Sequence, residues 1–357
     1  MTIPVDSTIG LLFGPRGRPG RAISIKEARC GECRAFEGLR QSLSKAVREL
    51  EPLSELPLSL SRDDVARAFE PFVGRRVKVK DPEWAAHMKR RKKKIVIKGA
   101  RRLITRWLPS GQRRETEIVE EYDQVWGGDT YARYDLDRKP DRLSPWEWQG
   151  ELMLAATVGA TRFRQVMLAA VIEAVRPGRI LEIGCGNGIN LFLAAGRFPE
   201  VEFHGLELTS VGYEAARRLQ NDHETLPRSL QKFAPQPPAD PTAHRRIHFH
   251  RGSAAELPFE AGEFDLVYTV LALEQMERIR QQALAEMARV TAGHAFNIEP
   301  FRDVNAKGWP RWNVFRRDYF RGAIDELEGF GLQPVWATDD YPQESFLKTA
   351  AVLSRRI

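Results

Sequence analysis

Hydrophobic and polar positions change period along this chain. Between residues 25 and 50, Ala28, Phe36, Leu39, Leu43, Val47 and Leu50 fall at helical spacing, and 63–69 has room for a second short helix. Ala100, Leu103, Ile104, Trp107 and Leu108 form another apolar stripe, with Arg101, Arg102 and Arg106 on the opposite side and Pro109-Ser110-Gly111 as its stop. Ser144-Pro145 has the form of a helix N-cap followed by proline in the first turn, which predicts helices over 146–159 and then 162–175. After Pro177-Gly178 the texture shifts. Short apolar runs at 179–184, 202–207, 246–250, 264–270, 293–299, 332–338 and 346–354 alternate with helical patterns at 188–196, 210–221, 276–290 and 317–330. That alternation predicts an α/β fold, a doubly wound sheet of seven strands with helices on both faces. The loop between the last two runs is too short for a crossover helix, so the final strand is expected to be antiparallel. The region before the sheet is expected to be mainly helical.

Composition narrows the class. With 42% hydrophobic and 29% charged residues the chain can build a folded body, and its 357 residues suit about two domains. The expected division is 1–118, a helical extension; 119–150, an aromatic lid or linker; and 151–357, the sheet domain. No run approaches the roughly 18 uncharged apolar residues of a membrane span. The first twenty residues lack the basic start and apolar core of a secretory signal. Cys30, Cys33 and Cys185 are too few for a disulfide framework. The expectation is a cytoplasmic protein.

The net charge of +7 comes from one segment. Twelve Lys or Arg residues and no acid lie between Lys89 and Arg114; the remainder, 43 basic against 48 acidic residues, is net negative. This distribution argues against a catalytic body built around a polyanionic substrate. Three readings of the segment stay open: a helix docked on the protein with a solvated basic face, an in-plane helix at an anionic inner membrane surface through 89–108, or a grip on RNA phosphates.

The chemistry-bearing motif runs from Arg179 to Gly188, RILEIGCGNG, an apolar strand entering Glu-x-Gly-x-Gly-x-Gly. Gly184, Gly186 and Gly188 permit a sharp turn and close approach of a ligand to the main chain. Such a turn at the carboxyl end of the first strand is where doubly wound sheets bind nucleotides. Glu207, 19 residues after Gly188, ends the second strand, where a carboxylate can accept both hydroxyls of a ribose. The spacing departs from the dinucleotide pattern G-x-G-x-x-G. Glu182 within the strand would also repel a pyrophosphate, and it suits a ligand carrying a cationic amine.

At these residues the sequence resembles the class I S-adenosylmethionine-dependent methyltransferase family over roughly residues 150–357. The resemblance extends to Gly205-Leu-Glu-Leu208, to 252–259 (GSAAELPF) and to 262–268 (GEFDLVY). It implies a Rossmann-like sheet of strand order 3-2-1-4-5-7-6 with strand 7 antiparallel, and S-adenosyl-L-methionine as cofactor. By the same resemblance, Glu182, Gly184, Cys185, Gly186 and Gly188 surround the methionine end, Glu207 holds the ribose and Leu208 lies against adenine. Relatives commonly place an Asp on the adenine amino group; Ser253 stands there in this chain, so the contact falls to its hydroxyl or to the Ala254 backbone. Val270 and Leu271 line the pocket.

For an oxygen acceptor a base helps, and the candidates near the ends of strands four and five are Glu274, Glu299 and Asp303. No Asn-Pro-Pro-Tyr-type sequence follows strand four, which favours an oxygen or carbon acceptor on a small molecule, sugar or lipid-linked intermediate. Trp126, Tyr131 and Tyr134 are equally suited to a lid and to interdomain packing. Cys30 and Cys33 form one pair without a second, and scattered histidines (His87, His204, His223) do not make a zinc set, so no metal is expected. An RNA methyltransferase using 89–114 and a cofactor-binding scaffold without an acceptor site are the alternatives.

Overall fold

The computed structural model describes residues 58–105, 131–140 and 142–357. The helix expected over 25–50, Cys30 and Cys33, and Arg106, Trp107, Leu108 and Trp126 lie outside the described residues.

The first described helix, α1 (Arg62–Phe69), starts at a capping box: the Ser61 side chain accepts the Asp64 N–H and the Asp64 carboxylate accepts the Ser61 N–H. Strand β1 (Val73–Val77) follows, then a single 24-residue helix, α2 (Pro82–Thr105), roughly 36 Å long at 1.5 Å per residue. The apolar stripe expected around Ala100 and Leu103 is not its packing face. Both residues are exposed, whereas Trp84, Ile95 and Gly99 are buried, so the docked side is rotated from the expected one. Arg102, expected on the solvated side, instead pairs with Asp318 at 2.7 Å in a nearly buried bridge.

Residues 144–159 correct the sequence reading more sharply. Residues 144–158 do not form a helix; only Gly159, the first residue of the next one, is helical. Strands β2 (Ser144–Trp148) and β3 (Glu151–Ala155) form a hairpin, closed by Gln149 and Gly150 with φ of 49° and 82°. Two successive positive φ values are what a tight hairpin turn requires, and glycine at the second position makes it accessible. The hairpin belongs to a four-stranded antiparallel sheet of order β1-β3-β2-β10, whose last strand, β10 (Gln343–Glu344), comes from the loop near the carboxyl end of the chain. The boundary expected at 150/151 falls inside the hairpin turn. Among the described residues, the part before the sheet domain is therefore a mixture of helix and strand. Trp146, 1% exposed, packs on Phe69 at 5.2 Å; Phe69 meets Phe163 at 5.7 Å and Phe163 meets Tyr341 at 5.4 Å. These rings join the small sheet to α3 (Gly159–Val175).

The larger sheet contains β4 (Arg179–Ile183), β5 (Glu202–Glu207), β6 (His248–Arg251), β7 (Phe264–Val270), β8 (Thr291–Glu299), β9 (Leu332–Thr338) and β11 (Ala350–Arg356). Its order is β6-β5-β4-β7-β8-β11-β9, and β11 runs antiparallel to both neighbours. The intervening helices are α4 (Ile189–Arg197), α5 (Ser210–Asp222), α6 (Arg228–Phe233), α7 (Arg280–Val290) and α8 (Gly308–Arg317). The helix expected over 317–330 is replaced by α8, which stops where Asp318 takes a left-handed conformation (φ 55°), and by a separate 3-10 turn over Ile324–Phe330. Likewise 276–290 opens as 3-10 turns before α7 begins. Among the described residues no helix is long and apolar enough to cross a membrane.

Parallel strands β4, β5 and β7 all end at one edge of the sheet. There β4 has β5 and β7 on either side, the crevice where doubly wound sheets receive ligands. Helix α2 reaches this edge by packing on α8 and touching β2.

Candidate active site

Strand β4 runs out at Ile183 into Gly184, whose N–H donates to Leu206 O at 2.8 Å; the Cys185 N–H meets the same oxygen at 3.0 Å. Gly184, Gly186 and Gly188 have φ of 74°, 56° and 76°. A Cβ at Gly184 would lie 2.6 Å from the Ala272 Cβ, and one at Gly188 2.9 Å from Phe249. Both backbone and space therefore demand glycine, and the result is a turn bare of side chains. Gly188 is the N-cap residue of α4.

The turn faces a cavity of about 290 Å³ lined by three buried acids, Glu182, Glu207 and Glu274. Glu182 is 1% exposed; it accepts from Asn190 Nδ2 at 2.7 Å and from the Tyr268 hydroxyl at 3.0 Å. Gln165 donates to Asn190 Oδ1 at 3.1 Å, which orients that amide. Among the described residues Glu182 makes no ion pair. Burial pushes its carboxyl up to about 8, with nearby Glu207 adding to the shift. Glu207 accepts the Gly186 N–H at 2.8 Å, the Thr209 N–H at 2.9 Å and the Thr209 hydroxyl at 2.6 Å. It thus braces the glycine turn against the start of α5.

Two acids at the turn make this an unfavourable place for a diphosphate. They fit a nucleoside with a cationic amine: a buried carboxyl held by neutral donors and lacking a cation would be compensated by an ammonium group. S-adenosylmethionine carries that group, so the residues present fit it. Glu182, Asn190 and Glu207 all line the cavity that would receive it.

The expected cofactor residues separate by place. Glu182, Gly184, Cys185, Gly186, Glu207, Leu208, Ala254, Val270 and Leu271 line the one cavity. Gly188 and Ser253 are not among the lining residues; Gly188 caps α4, and the Ser253 hydroxyl accepts the Ala255 N–H at 3.1 Å. Tyr134 and Arg164 also line the cavity, and the sequence reading did not single out Arg164 or Asn190. Asn190 is the second residue of α4, two positions after Gly188 and readable from the motif; Arg164 comes from α3 and carried no local signal. Tyr131 stitches the segment before the hairpin to the glycine turn, its hydroxyl donating to Asn187 O at 2.6 Å.

The three acidic base candidates have different surroundings. Glu299, fully buried, accepts the N–H groups of Ala272 (2.9 Å), Leu273 (3.1 Å) and Glu274 (3.2 Å) and so caps the turn after β7. Asp303 accepts the Ile324 N–H at 2.9 Å, at the start of the last 3-10 turn. Glu274 alone lines the cavity. One of its oxygens accepts from Gln275 Nε2 at 2.7 Å, and the other is buried without a partner. Burial raises its carboxyl to about 7, partly offset by Gln275, Arg317 and Arg164. Beyond Glu274 and Leu271 a second cavity, about 670 Å³, opens between α2, α8 and the hairpin. A carboxyl raised by burial to about 7, with one buried oxygen unpartnered, thus lines both cavities.

Residues 181–296 match the family model described as "Methyltransferase domain". Trans-aconitate 2-methyltransferase of Pseudomonas paraeruginosa (strain DSM 24068 / PA7) is 32% identical over 106 residues, 29% of this chain; the match spans 38% of that protein. Among solved structures, the [4+2]-cyclase SpnF superposes with a TM-score of 0.46 at 16% identity, covering 69% of this chain and 97% of that one. Magnesium protoporphyrin IX methyltransferase from Synechocystis PCC 6803, with bound S-adenosylhomocysteine, gives 0.44 at 12% identity, covering 68% and 100%.

Proposed function

We propose that this chain, whose residues 181–296 form a domain of the class I S-adenosylmethionine-dependent methyltransferase family, transfers a methyl group to an oxygen of a small molecule, sugar or lipid-linked acceptor. When bound, S-adenosylmethionine supplies an electrophilic methyl group. The chain's own work is to hold that donor and to present the acceptor. Glu182 and Asn190 take the amine end, Glu207 the ribose, and the bare glycine turn lets both approach the backbone. Glu274 receives the proton of the acceptor hydroxyl; a base that titrates near the working pH is well matched to that task. Holding the acceptor in line is the larger contribution, since orientation in favourable cases accounts for roughly 7–11 kcal/mol. The observation that carries the reading is the buried Glu182, without a cation partner among the described residues, beside a turn that excludes side chains.

The test is calorimetric titration with S-adenosylhomocysteine, followed by incubation with radiolabelled cofactor and fractionated cell extract. Cofactor binding with label appearing in an acceptor is expected. No binding would overturn the reading; binding without any labelled product would favour a scaffold.

A second reading concerns location. Val96, Ile97 and Leu103 on α2, with Trp309 and Trp312 on α8, are exposed apolar groups among lysines and arginines, and Lys92 lies 5.4 Å from the Trp309 ring. This supports association with an anionic membrane surface, where aromatic rings and cations act together. Flotation with phosphatidylserine vesicles should decrease for Ile97→Glu and Trp312→Glu, and unchanged flotation counts against it.

A further inference from the structure

The acceptor side of the site holds a concentration of positive charge that the methyl-transfer chemistry does not use. The 670 Å³ cavity is lined by Arg90, Arg91 and Lys94 from α2, Arg142 before the hairpin and Arg317 from α8, opposed by only two carboxylates, Glu274 and Glu344. Among the described residues, Arg90, Arg91, Lys94 and Arg142 make no ion pair or hydrogen bond to a side chain. Arg317 donates to the Tyr319 hydroxyl, but its Nε is buried without a partner. The neighbouring Arg316 has two buried nitrogens in the same condition. Like charges crowded into a partly desolvated space repel one another. Burial and then Arg317 hold the Arg91 guanidinium below its usual range, and burial with Arg317 and Arg91 lowers Arg316 to about 10. Guanidinium groups that line a cavity without a carboxylate partner are the arrangement that recognises carboxylate or phosphate.

We propose that the acceptor is a small anion, bearing carboxylate or phosphate, whose negative group is held in this cavity by Arg91 and Arg317 with Arg90, Lys94 and Arg142 at the mouth. This rests on the methyltransferase reading and names its substrate class. Helix α2 carries its charges to the edge of the sheet where Glu274 lies. The anchored anion leaves the rest of the acceptor directed toward Glu274 and the cofactor cavity.

The experiment uses the full chain saturated with S-adenosylhomocysteine and titrates citrate, inorganic phosphate, neutral glycerol and a ten-residue oligouridylate. Binding of citrate or phosphate that weakens with salt, and no binding of glycerol, is expected. Citrate alone would identify a carboxylate ligand and phosphate alone a phosphoryl one. Arg317→Gln and Arg91→Gln should each weaken the anion about tenfold or more, the loss of a charge-assisted contact, while S-adenosylhomocysteine affinity stays within about twofold. Because Arg317 is half-buried, the mouth variant Arg90→Glu provides a second measure and should also weaken the anion. The proposal is overturned if neither anion binds to a protein that binds S-adenosylhomocysteine, if all three variants bind anions unchanged, or if oligouridylate binds about a hundredfold tighter than either. Should S-adenosylhomocysteine itself fail to bind, the methyltransferase reading falls, and the anion titration in cofactor-free protein decides this one separately.

Discussion

Glu299 accepts the backbone N–H of Glu274 at 3.2 Å, so one buried carboxyl group positions another. Glu299 ends β8 and spends both oxygens on three N–H groups of the turn after β7. Glu274, inside that turn, lines both cavities and keeps one buried oxygen without a partner. Two acids that look alike in the sequence thus have different surroundings, one bracing the turn and one lining the cavities. Glu299→Ala removes the acceptor of three N–H groups and should destabilise the protein by about 2–4 kcal/mol. Urea denaturation checks this, and Glu299→Gln, which keeps an acceptor, should lose less.

Glu274→Gln should lower kcat by about 10²–10⁴ if Glu274 takes the proton from the acceptor. Affinity for S-adenosylhomocysteine should be nearly unchanged. In the parent protein the rate should rise with pH through about 7, where Glu274 ionises. A rate independent of pH, together with a variant as fast as the parent, would show that no base operates there.

Glu182 provides a pH signature of binding. Its carboxyl is raised from 4.5 to about 8 by burial, so the folded cofactor-free protein keeps a proton that the unfolded chain releases. This group's contribution to stability is complete below about pH 4.5 and is lost as pH rises through about 8. An ammonium beside it favours the ionised form. Affinity for S-adenosylhomocysteine should therefore increase between pH 6 and 8, by as much as about tenfold per unit. Affinity for 5′-methylthioadenosine, which lacks the amine, should not, and Glu182→Gln should flatten the first curve. Calorimetry at three pH values distinguishes these outcomes.

Gly184→Ala combines a left-handed backbone with a Cβ 2.6 Å from Ala272. A loss of about 1–3 kcal/mol is expected, with weaker cofactor binding because Gly184 and Ala272 both line the cofactor cavity. Thermal denaturation and titration with S-adenosylhomocysteine measure the two effects.

Tyr131→Phe deletes the hydroxyl that donates to Asn187 O. The expected cost is about 1 kcal/mol, seen as faster amide exchange at Gly186–Gly188 in the cofactor-free protein. Unchanged exchange would show that Tyr131 does not hold the glycine turn.

Much of the nucleotide end is legible in the amino-acid sequence. An apolar run, three alternate glycines and an acid at the end of the next run are local features; strand period and steric freedom carry them, and β4, its turn and Glu207 stand where those features put them. The acceptor end is less legible. Glu274, Glu299 and Asp303 are equivalent as residue types, and their difference lies in which backbone N–H groups each one meets. The hairpin departs from the expected helix because Ser-Pro suits a helix start as well as a strand, and pairing with β1 and β10, distant in sequence, outweighs local preference.

From the chain alone came the doubly wound sheet, the reversed last strand, and a turn shaped for a ligand with a cationic amine. These depend on periodicity and on contacts between near neighbours. Tertiary structure alone decided which side of α2 docks, that Arg102 pairs with Asp318, and that Arg91 and Arg317 meet across one cavity beside Glu274. Burial and the field of neighbouring charges are properties of packed space. Residues more than two hundred positions apart acquire them together only when the chain has folded.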